Sequence, residues 1–316
     1  MIESIVKIDI CICTFKRPSM LTKLLDSLDN LKTTEQFIAS IVIVDNDVNM
    51  SAKPVIDEFR SRMNISVRYI CEPRQNIALA RNRAVKLADG DLIAFIDDDE
   101  YAPADWLVNL FIALKRYQVD GVLGPVIGEL PSDAPEWIRK GEFFFQGKGI
   151  KSGTILNLHQ TRTGNCLISR SVLRTIPGPF DEAYGLTGGE DVMLFKQLIQ
   201  QGYRFAWVAE APVMETITRH RASASWLLRR AFRGGALFAR KMDVLGMRVH
   251  LKILFYLKSL CAFAYYFASI PILTAKGFHK VFSCLQGIAT QIGKFSVLFD
   301  FHYQDYLRKE HYEIDL

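Results

Sequence analysis

The sequence predicts an α/β protein: a mostly parallel sheet covered by helices, followed by a C-terminal α-helical segment. Three observations predict it. Short apolar, β-branched runs alternate with amphipathic helical stretches over the first two-thirds of the chain, the pattern of a parallel sheet with covering helices. One run, Leu92-Ile93-Ala94-Phe95-Ile96, is apolar at consecutive positions and reads as a strand buried on both faces. Beyond residue 251 two long apolar runs replace the alternation.

In chain order, Ile8-Asp9-Ile10-Cys11-Ile12-Cys13-Thr14 reads as the first strand, ending at Thr14-Phe15-Lys16-Arg17-Pro18. Leu21, Leu24, Leu25 and Leu28 then share one face of a helix. Residues 38–44 form a second buried strand, closed by Asp45-Asn46-Asp47, and residues 51–63 a helix that tolerates Pro54 in its first turn. A strand over 65–71 and a helix over 76–88, stopped by Asp89-Gly90, lead to the fourth strand. Residues 103–117 read as a helix with Trp106, Leu107, Leu110, Phe111 and Leu114 inward, and residues 121–127 as one strand. Residues 130–151 are broken by prolines and glycines and read as an irregular loop; such lengths are usually functional. Residues 163–168 return to a strand. Gly188-Gly189-Glu190-Asp191 opens a helix reaching about Gln201, and strands over 203–208 and 213–217 follow. Residues 223–242 form a basic amphipathic helix.

The 316 residues are enough for a sizeable core, and the net charge of +5 is too modest to point to a nucleic-acid partner. The six cysteines show no zinc spacing, which fits reduced cytosolic thiols. Residues 1–7 lead directly into a strand without a secretory pattern, so the first part is expected in the cytoplasm.

The chemistry concentrates at Asp97-Asp98-Asp99-Glu100, directly after the fourth strand. Strand alternation would put Asp97 and Asp99 on one side and Asp98 on the other. Two carboxylates there repel unless a cation lies between them, and hard oxygens suit magnesium or manganese, which usually also hold substrate phosphate. The bland reading is a solvated acidic turn; open parallel sheets binding ligands at this end of their strands favour the metal. His220, in Thr218-Arg219-His220-Arg221, is either structural or completes that shell with Asp99. Asp45, on the same sheet edge as Thr14 and Asp97, is either a turn-forming residue or an acceptor for the imide N–H of uracil or thymine. Arg81 lies on a helix bordering that edge, where a guanidinium suits phosphate or base. Glu190-Asp191 is either an ordinary acidic helix start or holds a general base. Asp191 is favoured as the base, and Glu190 would orient the acceptor.

The ordered set Thr14 to Pro18, Val44-Asp45-Asn46, Asn76 through Arg81-Asn82, Phe95 to Asp99, Gly164-Asn165 and Gly189-Glu190-Asp191 resembles the family-two inverting glycosyltransferases. The set spans roughly two-thirds of the chain and is more specific than any one member. Arg219-His220-Arg221 and residues 225–234 look like the exopolysaccharide, succinoglycan-type glucosyltransferase branch. The resemblance implies a Rossmann-like sheet of the glycosyltransferase A type, with Asp45 on the base, Asp97 near the ribose, Asp99 on the metal and Asp191 as base. It also implies a Mn2+ or Mg2+ cofactor and a nucleotide-sugar donor; Asp45 favours uridine or thymidine over guanosine, so the expected donor is a UDP-sugar such as UDP-glucose. Asn76-Ile77-Ala78 departs from the family's Asn-x-Gly. The Gln-x-x-Arg-Trp of processive synthases is missing, which favours one sugar per encounter.

Residues 253–275 are apolar enough to span a bilayer, whereas residues 281–299 contain Gln286, Gln291 and Lys294. A helical hairpin in the membrane, helices lying in the interface, and a dimerisation surface all remain open. Basic residues between Arg219 and Arg248 favour anionic lipid. The expected organisation is a catalytic domain over 1–218, a basic amphipathic region over 219–250 and a membrane-associated segment over 251–316. That placement, on the cytoplasmic face of the inner membrane, suits a polyprenyl-diphosphate-linked glycan as acceptor. A protein or other non-lipid acceptor, a catalytically silent nucleotide-sugar scaffold, and a nucleotidyltransferase are the alternatives. The last would normally carry a glycine-rich loop after the first strand, which Thr14 to Pro18 lacks.

Overall fold

The computed structural model describes residues 5–299. The first strand, β1 (Val6–Thr14), sends Ile8, Ile10 and Ile12 to one face and Cys11 to the other. Helix α1 (Pro18–Asp29) begins on a proline, whose fixed φ suits a first turn, and buries the four leucines. Then come β2 (Phe37–Asp45), α2 (Lys53–Arg62), β3 (Ser66–Cys71), α3 (Ile77–Leu87) and β4 (Leu92–Phe95). Asn76 caps α3 by accepting from the Leu79 N–H at 3.1 Å. The chain continues through β5 (Glu100–Tyr101), α4 (Trp106–Tyr117), β6 (Gly121–Leu123), β7 (Val126–Glu129), α5 (Glu136–Gly141), β8 (Phe145–Gln146), β9 (Cys166–Ser169) and α6 (Arg170–Leu173). It ends with α7 (Glu190–Gln200), β10 (Phe205–Trp207), β11 (Val213–Thr216), α8 (Ala224–Lys241), α9 (Val249–Thr274) and α10 (Phe278–Ser296).

The chain divides into two compact units. The first runs to Glu129 and resumes over Phe144–Thr216. It holds a seven-stranded sheet in the order β10-β6-β9-β4-β1-β2-β3, in which only β9 runs antiparallel to its neighbours. The expected mostly parallel α/β sheet is therefore present. Helices α1, α2 and α4 bury one face with Leu24, Phe59, Trp106 and Phe111, and α3 and α7 bury the other with Ala80, Ala84, Leu194 and Phe195. Each fully buried large side chain contributes about 1.5–3 kcal/mol, so both faces are well held. A second, four-stranded sheet has the order β5-β11-β7-β8.

Three local expectations change. The single strand over 121–127 is two, β6 and β7, belonging to different sheets. Pro125 has no N–H to donate, and any side chain on Gly124 would collide with the Ala211 carbonyl and Asn165, so the chain turns from one sheet to the other here. The loop over 130–151 contains α5 and β8. Strand alternation stops at Phe95: the aspartates form a turn in which the Glu100 N–H donates to the Asp97 carbonyl at 3.1 Å.

Among the described residues the second unit comprises Leu130–Phe143 and residues 217–299. Helices α8 and α10 meet where both have glycine. A Cβ on Gly235 would overlap the Thr290 carbonyl, and one on Gly293 the Phe232 carbonyl. Helix α9 runs beside α10, with the Tyr256 and Phe295 rings 5.0 Å apart. At the other end of α10, Trp137 of α5 packs on Phe282 at 4.4 Å and Phe278 at 5.2 Å. Helix α9 is the one described helix long and apolar enough to cross a membrane.

Candidate active site

The register of the parallel strands decides which loops share an edge. Thr14 lies opposite Asp45, and Cys11 opposite Phe95. The loops after β1, β2 and β4 therefore open at one end of the large sheet.

Asp45 is fully buried. Its oxygens accept from the Asp47 N–H at 3.0 Å, the Ala52 N–H at 2.9 Å and the Tyr69 hydroxyl at 3.0 Å. Burial raises its pKa, with those hydrogen bonds opposing. In this structure Asp45 shapes the loop leading to α2. Nearby, Asn46 donates to the Glu72 and Arg74 carbonyls at 2.9 and 2.7 Å, tying the loops after β2 and β3 together.

The aspartate turn separates its three side chains by partner. Asp98 accepts from the Thr14 hydroxyl at 2.8 Å and from Arg17 at 2.9 Å. Burial pushes Asp98 up to about 6, against the pull of Arg17. Asp99 shares the same Arg17 nitrogen at 3.3 Å. Asp97 instead accepts from Arg81 at 3.0 Å, and its side chain stays 46% exposed. Burial around Asp97 raises its pKa, Arg81 lowers it, and the charges of Asp99 and Asp191 raise it further. The two carboxylates expected to share a side are thus close enough to repel.

Arg81 also donates to the buried Glu190. One guanidinium therefore joins α3, the aspartate turn and the start of α7, segments far apart in sequence. Glu190 is pushed up to about 7 by burial despite Arg81. Its second oxygen is buried without a hydrogen-bond partner among the described residues. Gly188 and Gly189 enter α7 with φ of +77° and +99°, values that favour glycine. Asp191, one residue further, is part-buried, and its carboxylate accepts from the Val192 N–H at 2.7 Å. Its charge reaches Arg81, Asp97 and Arg162. The structure thus brings Thr14, Arg81, Asp97, Asp99, Glu190 and Asp191 to one end of the sheet. His220 lies in the second unit, where its carbonyl accepts from the Ser223 hydroxyl at 2.6 Å.

Four residues to which the sequence alone gives no individual role belong to the same cluster. Arg17 holds Asp98 and Asp99. Glu100 is buried, and its Oε2 accepts from the Asp97 N–H at 3.0 Å. Burial and the charges of Asp97 and Asp99 hold the Glu100 carboxyl well above the usual carboxylate range. Burial lowers the pKa of Arg162, which feels the charges of Glu100 and Asp191. Gly164 backs the carboxylates: a Cβ there would sit 3.1 Å from Glu100 Oε1 and 3.2 Å from Asp97 Oδ2. Its neighbour Asn165 has φ +54° and locks the turn. It accepts from the Trp106 indole N–H at 2.7 Å and donates to the Pro125 and Ala211 carbonyls at 2.7 and 2.8 Å. Only the adjacent Gly164-Asn165 pair signalled this region in the sequence.

The open, mostly parallel sheet with one antiparallel strand and a carboxylate cluster at its end is of the glycosyltransferase A type, as comparison with known proteins shows. The sequence matches the glycosyl transferase family 2 domain over residues 9–176, more than half of the chain. It is 34% identical over 236 residues, 74% of each chain, to the succinoglycan biosynthesis protein ExoM of Rhizobium meliloti. The protein belongs to glycosyl transferase family 2. It is also 24% identical to the glucosyl-dolichyl phosphate glucuronosyltransferase of Haloferax volcanii, over 76% of this chain and 78% of that one. Among solved structures, residues 1–349 of S. aureus TarS in complex with UDP superpose with a TM-score of 0.52 at 14% identity, covering 94% of this chain and 93% of that one. That likeness is one of fold.

Proposed function

We propose that this glycosyltransferase moves a sugar from a UDP-sugar to a hydroxyl of a lipid-linked glycan during surface polysaccharide synthesis, working at the cytoplasmic face of the inner membrane. The observation that carries the reading is the convergence of Asp97, Asp99 and Asp191 at one strand end, with Arg81 joining two of the segments that supply them. The relatives named above act in succinoglycan biosynthesis and on a glucosyl-dolichyl phosphate, and the fold neighbour was crystallised with UDP.

In this reading Asp191 takes the proton from the acceptor hydroxyl as its oxygen attacks the anomeric carbon. The nucleoside diphosphate departs from the opposite face, inverting that carbon. Glu190, held by Arg81, fixes the start of α7 and so orients Asp191 toward the acceptor. The loop that Asp45 shapes receives the uracil, and Thr14 and Asp97 border the ribose.

Asp97 and Asp99 would hold the divalent ion, Mn2+ or Mg2+. Their chemistry fits: both are hard oxygen donors, and their mutual repulsion is what a divalent cation relieves. Among the described residues no group of three or more His, Cys, Asp or Glu could hold a metal ion. The fit is therefore to an ion completed by donor phosphate and water, as magnesium commonly is. When bound, such an ion supplies positive charge to the departing diphosphate.

The deciding experiment offers the purified protein a panel of nucleotide-sugars with manganese, reading nucleotide release with lipid-linked and with soluble acceptors. Release from UDP-sugars that rises with a lipid-linked acceptor supports the proposal. Equal or better transfer to soluble acceptors rejects the lipid-linked part, and release only from another nucleotide rejects the donor.

A further inference from the structure

We infer that α9 lies in the plane of one leaflet instead of crossing the bilayer. The inference rests on the membrane association proposed above and goes beyond it by fixing the topology. By length α9 could span: its 26 residues measure about 39 Å at ~1.5 Å per residue, against a hydrocarbon core of about 30 Å. What opposes spanning is how both its ends are fastened.

At its start, Phe238 of α8 stacks with Phe255 of α9. Along its length, Tyr256 packs on Phe295 and a Cβ on Gly287 would run into Tyr266, so α10 returns beside α9 at least from Tyr256 to Tyr266. Helix α10 is in turn held at both ends. Its Thr290 and Gly293 press against the backbone of α8, and Phe278 and Phe282 pack on Trp137 of α5. A spanning α9 would carry the turn at Ala275-Lys276-Gly277 and the start of α10 to the far side. Trp137 cannot follow. Helix α5 is joined to β7 and β8 by six and three residues, 130–135 and 142–144, a reach of at most about 20 Å and 10 Å. Helix α10 is also a poor second span, since it carries Lys280, Gln286, Lys294 and the buried Gln291.

The apolar character of α9 on all sides then has a two-part cause. Phe255, Tyr256, Ser259 and Tyr266 are sheltered by protein. Leu257, Leu260, Tyr265, Phe267 and Ile272 face outward, each more than half exposed. A continuous outward apolar face of that length exceeds what a soluble surface normally carries. Charge selects its occupant. From residue 244 to 299 the chain contains Arg248, Lys252, Lys258, Lys276, Lys280 and Lys294 and no aspartate or glutamate. Basic residues around an apolar face match an anionic lipid leaflet.

The test uses the full chain in native inner-membrane vesicles, with single cysteines introduced by Lys140→Cys on α5 and Lys276→Cys in the α9–α10 turn. Both variants are made in a background whose six native cysteines are replaced by serine or alanine and which retains transferase activity. A membrane-impermeant maleimide is applied to inside-out and right-side-out vesicles. The expected result is labelling of both positions from the same, cytoplasmic side. Labelling of position 276 only from the opposite side overturns the inference while leaving membrane association intact. Recovery of the protein in the soluble fraction at low salt, as a dimer or monomer, overturns the membrane reading and this inference with it.

Discussion

Replacing Arg81 tests the architecture of the site most directly. Arg81→Met keeps a side chain of similar length but leaves Glu190, 2% exposed, without its cation. Removing one partner of a buried ion pair costs about 3–5 kcal/mol. At roughly 2–4 °C per kcal/mol for a unit of this size, the melting temperature should fall on the order of 10 °C. Asp97 adds little to this loss, because its side chain is half-exposed. The double variant Arg81→Met, Glu190→Gln removes the buried charge together with its partner and should recover more than half of the deficit. The pH dependence has a definite sign. Glu190 is raised to about 7 in the folded protein, so its contribution is full below its unfolded value and is lost as pH rises through about 7. Without Arg81 its pKa rises further, it takes up a proton near neutrality, and the penalty shrinks in acid. The deficit of Arg81→Met should therefore be larger at pH 8 than at pH 5.5. Thermal unfolding followed by circular dichroism in EDTA at both values measures it. A single variant as stable as the parent at pH 8, or a double variant no better than the single, would refute the burial argument.

Asp191→Asn should lower transfer by about 10²–10⁴-fold while changing nucleotide affinity little, read by turnover and by calorimetric titration. Chelation by EDTA should stop turnover and added manganese restore it, and Asp99→Asn should weaken the metal dependence; full activity in metal-free buffer would remove the ion from the mechanism. Gly164→Ala places a methyl 3.1–3.2 Å from the Glu100 and Asp97 carboxylates and should lower kcat with the fold retained, checked by kinetics beside a melting curve. Asn165→Ala strands the Trp106 indole and two carbonyls, each costing about 1–3 kcal/mol when buried, and should depress the melting temperature more than Gly164→Ala does.

Most of the first unit was legible because its strands and helices obey local periodicity. The runs of residues 8–14, 38–44 and 65–71 became β1, β2 and β3, and the leucines of α1 are buried as their spacing requires. What failed to show was tertiary. Pro125 splits a strand only because Ala211 and Asn165 crowd Gly124 from distant segments. Residues 130–143 look like a loop in isolation, but Trp137 has a partner surface nearly 150 residues downstream at Phe282. Arg17 and Glu100 lie inside motifs visible in the sequence and Arg162 in none, but for all three the neighbours in the cluster are set by loop geometry.

The adjacent pair Glu190 and Asp191 shows the same limit at a single step. Successive residues on a helix point about 100° apart, so two carboxylates at consecutive positions must meet different surroundings. Which of them turns inward depends on the phase at which the chain enters the helix. That phase is set here by Gly188 and Gly189, both in the left-handed region. It carries Glu190 against Arg81, where its charge is spent on holding three segments together, and leaves Asp191 only part-buried. A residue forcing either glycine out of positive φ would rotate that start. Gly189→Ala should therefore cost activity and loosen the Arg81 pairing together. If turnover in Gly189→Ala fell while the pH dependence of stability stayed at the parental slope, the coupling between helix phase and carboxylate assignment would be wrong.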